Sequence, residues 1–120
     1  MLKIIYTETG LHLEILTGDQ NQWIAERRKF AASIGEPLLV SRQIMTFTVP
    51  SPLCPVSEID ADLQKMGART VTVHRCDLGY VEVELNGYWL SGDADGAEGI
   101  SICQQTERVE SYIWQLWHTQ

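Results

Sequence analysis

No run of apolar residues in the chain exceeds four, against the roughly twenty that a helix needs to cross a bilayer, so a helical membrane span is excluded. Cys-x-x-Cys pairs are also missing. Cys54, Cys76 and Cys103 are odd in number and widely spaced, which argues against a zinc ribbon or a redox couple and predicts reduced, mostly buried thiols. Positive charge is scarce. Nine Lys and Arg against sixteen Asp and Glu leave a formal charge of −7, whose field repels phosphate backbones and anionic membranes. Neither nucleic acid nor a membrane is therefore expected as a partner. The one basic cluster, Arg27-Arg28-Lys29, is consecutive on an expected helix and splays around it instead of forming a stripe. No Gly-x-Gly-x-x-Gly, phosphate loop or Gly-x-Ser-x-Gly elbow occurs, so no cofactor and no catalytic set is called for. Met1-Leu2-Lys3-Ile4-Ile5-Tyr6 lacks the apolar segment and cleavage site of a secretory signal, and a cytoplasmic location is expected by default.

What is present is the patterning of an ordinary globular domain. With 120 residues, 44% of them hydrophobic, the chain suits one domain over 1–120 whose core needs no disulfide or metal. Residues 3 to 16 alternate as a hairpin around Thr9-Gly10, with Ile4 and Tyr6 sharing the face of Leu13 and Ile15. Asp19 or Thr17 caps a helix over about 20–34, in which Trp23, Ile24, Arg27, Phe30, Ala31 and Ile34 recur at helical spacing before Gly35 and Pro37 stop it. Residues 38–49 read as one bent strand or two short ones, and Pro50, Pro52 and Pro55 mark a loop. A second helix runs from about Ser57 to Met66, and a strand from Arg69 to Arg75. Tyr80–Leu85 and Tyr88–Leu90 flank Asn86-Gly87, the preferred pair for a type I′ turn, and predict a hairpin. That register puts Val81, Val83, Leu85, Tyr88 and Leu90 on one apolar face and Trp89 opposite, beside Glu82 and Glu84. A loop over Gly92–Gly99, a strand over Ile100–Cys103 and a helix capped by Thr106 complete the order β-β-α-β-α-β-β-β-β-α. The expected fold is α+β: a mainly antiparallel sheet with about three helices packed on one face.

Few residues offer chemistry. Asp93, Asp95 and Glu98, among the glycines of 92–99, have the composition of a hard-cation loop. The spacing does not close an EF-hand, because with Asp93 and Asp95 at positions three and five the first ligand is Ser91 and the twelfth Ile102. Asp-Gly is also a common turn dipeptide, and a plain connection between two strands explains the composition without any ion. His12, His74 and His118 lie on separate elements without a recognised ligand spacing. His74 and Cys76 share a strand face, but no third group is at hand to orient a nucleophile pair. The aromatics stand out more. Trp117 fits the apolar stripe of the last helix, whereas Trp89 and Trp114 cannot both be buried in a simple two-layer core: either the N-terminal hairpin covers them or they form an exposed contact patch.

Phe30-Ala31-Ala32-Ser33-Ile34-Gly35-Glu36-Pro37, Tyr80-Val81-Glu82-Val83 and Ala97-Glu98-Gly99-Ile100 resemble segments of a group of small uncharacterised cyanobacterial proteins. The resemblance carries no activity, cofactor or site residue.

These features together lead to a non-enzymatic, cytoplasmic domain that binds protein, itself included as a homo-oligomer, with Trp89 and Trp114 at the contact. The alternative is a small-molecule or divalent-cation domain using Asp93, Asp95 and Glu98. An enzyme of unrecognised type is the third reading.

Overall fold

The computed structural model describes residues 1–50, 55–68, 70–77, 79–93 and 96–118. Nine elements follow one another: β1 (Leu2–Thr7), β2 (Gly10–Ile15), α1 (Gln20–Ser33), β3 (Leu39–Pro50), α2 (Val56–Lys65), β4 (Val71–Asp77), β5 (Tyr80–Ser91), β6 (Gly99–Cys103) and α3 (Glu107–His118). The six strands form one sheet in the order β2-β1-β6-β5-β3, and β4 pairs with β5 off that path. All pairings are antiparallel. The α+β class is that expected from the sequence, and so is the order of strands and helices, except that three strands and not four separate α2 from α3.

Alternation explains the first hairpin. Leu2, Ile4 and Tyr6 stand opposite Ile15, Leu13 and Leu11, so all six side chains share one face. Capping explains where α1 and α3 begin. Asp19 Oδ1 accepts from the amides of Asn21 and Gln22 at 2.8 and 3.1 Å, satisfying two amides that have no partner within α1. Thr106 Oγ1 accepts from the Val109 amide at 3.3 Å and starts α3. The Tyr112 hydroxyl donates to Asp62 Oδ2 at 2.9 Å and ties α3 to α2.

The sequence-based hairpin at Asn86-Gly87 is not formed, because β5 runs straight through both residues and pairs with β3 from Leu39↔Ser91 to Pro50↔Tyr80. Its other edge is divided. β4 pairs with Tyr80 to Leu85, and β6 pairs with Tyr88 to Leu90, so Gly87 lies at the fork. A Cβ there would collide with the carbonyl oxygen of Ile102 and press on the Cβ of Cys103 at 3.2 Å. Close approach of a neighbouring backbone, not a turn, is what requires glycine at this position. The tight connection lies one strand earlier, between Asp77 and Tyr80, where Gly79 has a φ of +87°.

A continuous β5 inverts the predicted faces beyond the fork. Val81, Val83, Leu85 and Trp89 now share one face, and Glu82, Glu84, Tyr88 and Leu90 the other. On the first face the main core gathers β1, β3 and β5 under Ile59 and Leu63 of α2 and Val109, Ile113 and Leu116 of α3. A smaller cluster on the second face brings Ile24 of α1 against Leu90 and Ile102. The three helices expected on one face are thus split: α2 and α3 cover one side and α1 the other. The reason is an apolar second face at Val40, Tyr88, Leu90 and Ile102 that needs cover, which α1, joined to β3 by a short link, supplies.

Candidate functional site

The sequence-predicted candidates fall in different places. Trp89 is half-buried on the main-core face, where its ring meets Tyr6 edge-on at 5.2 Å and covers Gly99, whose added Cβ would strike the indole at 2.6 Å. Trp114 is the more open of the two, 38% exposed, with its ring stacked on His118 at 3.8 Å. In the acidic loop the Asp93 carbonyl accepts from Ser91 Oγ at 2.9 Å and from the Gly96 amide at 3.2 Å, the pattern of a local turn. Glu98 is exposed, and Asp95 lies outside the described residues, as does Cys54. Cys103 is buried, but Cys76, expected to be buried like it, is exposed beside the bulge between Arg75 and Asp77.

The fold leaves two apolar features uncovered. The first is the outer edge of β3, a strand of 12 residues that no other described strand pairs beyond β5. It carries Leu39 and Ile44, 44% and 58% exposed, and between Glu36 and Glu58 its Arg42 is the sole charged residue. The second is the distal end of α1. The stripe predicted to bury Phe30 and Ile34 buries only Ile24 fully, and Phe30 and Ile34 stay 60% and 50% exposed. A groove of about 290 Å³ between this end of α1 and the ends of β5 and β6 is lined by Trp23, Phe30, Ile34, Leu38, Leu90 and Ile100.

Away from α1, the second face of the sheet is polar. His74 of β4 stands opposite Glu82 of β5, and Glu84 follows two residues on along the same face. His74 Nε2 lies 3.0 Å from Glu82 Oε1 and 3.7 Å from Glu84 Oε1. Sequence reasoning missed this trio, because the period-two spacing of the glutamates was visible but the register bringing His74 across to them was not. Beside it, at the fork, opens a cleft of about 700 Å³ bordered by Arg42, Gln43, Asn86, Gln104 and Gln105. Gln20 also lines it, and its buried Oε1 has no hydrogen-bond partner among the described residues.

The Tyr6 hydroxyl and the Cys103 thiol titrate away from their ordinary range. Burial pushes the Tyr6 hydroxyl up, against a hydrogen bond with Ser101. Burial likewise pushes the Cys103 thiol up; its contact with Gln105 opposes this, the Glu110 carboxylate adds to it, and the Met1 α-amino group counters it. A thiol held in its protonated form is a poor nucleophile.

No described helix is long and apolar enough to cross a membrane. No curated protein and no solved structure matches the chain. The segments that resemble cyanobacterial proteins do have a wider counterpart: the Alr0857-like family model matches residues 1–120, and the chain belongs to that family.

Proposed function

We propose that the protein is a contact domain that self-associates, two copies joining edge to edge along β3. The observation that carries this is the unprotected character of that edge. Exposed edge strands are normally blunted by Lys, an internal Pro, a bulge or an inward-pointing charge. β3 has no Lys, no Pro before its last residue and an unbroken register with β5, and its one charged residue, Arg42, lies over the Tyr88 ring at 5.7 Å. In a chain of net charge −7, like charges resist the approach of a second copy, and the segment without Asp or Glu from Pro37 to Ser57 is where that resistance is least.

An antiparallel strand pairs with its own copy about a two-fold axis, so the contact is self-complementary and closes as a dimer. The strand's midpoint falls at Ile44–Met45, which sets each Ile44 beside its counterpart across the axis. Backbone hydrogen bonds supply the register and the exposed Leu39 and Ile44 the apolar area; the total buried should pass about 1,000 Å². Trp114 belongs to a different element and is not required for this contact.

Light scattering at high micromolar concentration tests the reading. A dimer mass is expected for the wild-type chain and a monomer mass for Ile44→Lys, with unchanged circular dichroism. A wild-type monomer mass, or a dimer that survives Ile44→Lys, contradicts it.

A further inference from the structure

We propose that His74, Glu82 and Glu84 form a binding site for a divalent transition cation of the zinc class. One ligand atom from each residue already lies within 4.8 Å of the other two. Zinc bonds of about 2.1 Å in tetrahedral arrangement set ligand atoms about 3.4 Å apart. The two His74 distances, 3.0 and 3.7 Å, bracket that separation. An imidazole with two carboxylates suits zinc and its neighbours in the transition series, whereas magnesium and calcium prefer oxygen ligands throughout.

The backbone holds these side chains in place. His74 and Glu82 are direct cross-strand partners, whose Cβ atoms come within about 5 Å, and Glu84 is the diagonal neighbour on the same face. β5 is flanked by β3 along its whole length and by β4 over the part that bears both glutamates, so the ligand-bearing strand is an inner one.

Among the described residues, His74 is the only basic group that pairs with these carboxylates. Opposite Glu82 and Glu84 on β3 stand Thr48 and Thr46, and opposite Glu84 on β4 stands Thr72. Two carboxylates on one strand face, two residues apart, are ordinarily balanced by Lys or Arg at such positions. Here the one basic group at these positions is a histidine, which ligates a metal in its neutral form. Exposures of 45% for His74, 27% for Glu82 and 29% for Glu84 leave the trio open to ions from solvent and leave water to complete the shell.

Calorimetric titration of the full chain with Zn²⁺ alone is the test, run beside His74→Ala, Glu82→Gln, Glu84→Gln and Cys76→Ser. One Zn²⁺ per chain is expected. His74→Ala and Glu82→Gln should weaken it at least about tenfold, the loss that removing even an outer partner of a metal ligand brings. Cys76→Ser should bind as the wild type does, and Mg²⁺ should not compete. A zinc-dependent shift of the His74 ring resonances gives a readout in the unmutated protein that does not depend on variant folding. Absence of saturable binding, wild-type affinity in His74→Ala, or loss of binding only in Cys76→Ser would overturn the proposal.

Discussion

The α-amino group of Met1 and the Glu110 carboxylate, 109 residues apart in the chain, meet at 2.9 Å with side-chain exposures of 2% and 7%. The other carboxylate oxygen accepts from the Gln105 amide at 2.9 Å, and the Met1 ammonium also donates to the Leu16 carbonyl at 2.8 Å. One charge pair thereby pins the start of β1, the end of β2 and the first turn of α3. Glu110→Gln keeps the shape and removes the charge, leaving a buried ammonium uncompensated. A loss of about 3–5 kcal/mol is expected in urea unfolding, the range for breaking a buried pair from one side. A loss under about 1 kcal/mol would mean that the pair is solvated.

Gly87→Ala tests the fork in the sheet. A methyl group there meets the Ile102 carbonyl, which belongs to backbone and has little freedom to yield. Overpacking of this kind costs about 1–3 kcal/mol. A neutral substitution would therefore contradict the continuous β5.

The same pair of residues shows where the sequence was readable and where it was not. Alternation in 3–16 is a local signal, and the shared face of Ile4, Tyr6, Leu13 and Ile15 follows from it. Asp19 and Thr106 are local caps and mark their helices. Asn86-Gly87 carries the same local signal whether glycine serves a turn or makes room for a strand 15 residues away, and only the tertiary pairing decides. Once β5 is continuous, every face assignment beyond residue 86 inverts, which is why Trp89 joins the core side and Leu90 the α1 side. The helical stripe of α1 was likewise legible, but not the smallness of the surface that covers it. The His74 trio depended on a register that no local pattern encodes.

Stability should fall with rising pH above the ordinary thiol range. Cys103 and Tyr6 hold their protons more tightly folded than unfolded, because burial disfavours both anions. Between the unfolded and folded values the unfolded chain binds fewer protons, so the stabilisation present below that window is lost as pH climbs through it. Urea midpoints should be level near pH 7–8 and drop from about pH 9. Cys103→Val should flatten the first part of the drop and Tyr6→Phe the part above about pH 10. A midpoint that rises over this range would contradict the burial of both groups.

Alkylation of the native protein should separate the two described thiols. Exposed Cys76 should react as an open thiol does, and Cys103, 0% exposed, should stay unmodified until the chain unfolds. Mass mapping after brief treatment reads the result directly. Early modification of Cys103 would mean that the sheet opens at β6.

The pairing of two copies along β3 is tested most directly by hydrogen exchange as a function of protein concentration. Alternate amides of β3 point away from β5, and a second copy would take them into hydrogen bonds. Their exchange should slow as concentration rises from low to high micromolar, most clearly around Ile44, and the effect should vanish in Ile44→Lys. Exchange at these amides that is fast and independent of concentration would contradict the dimer.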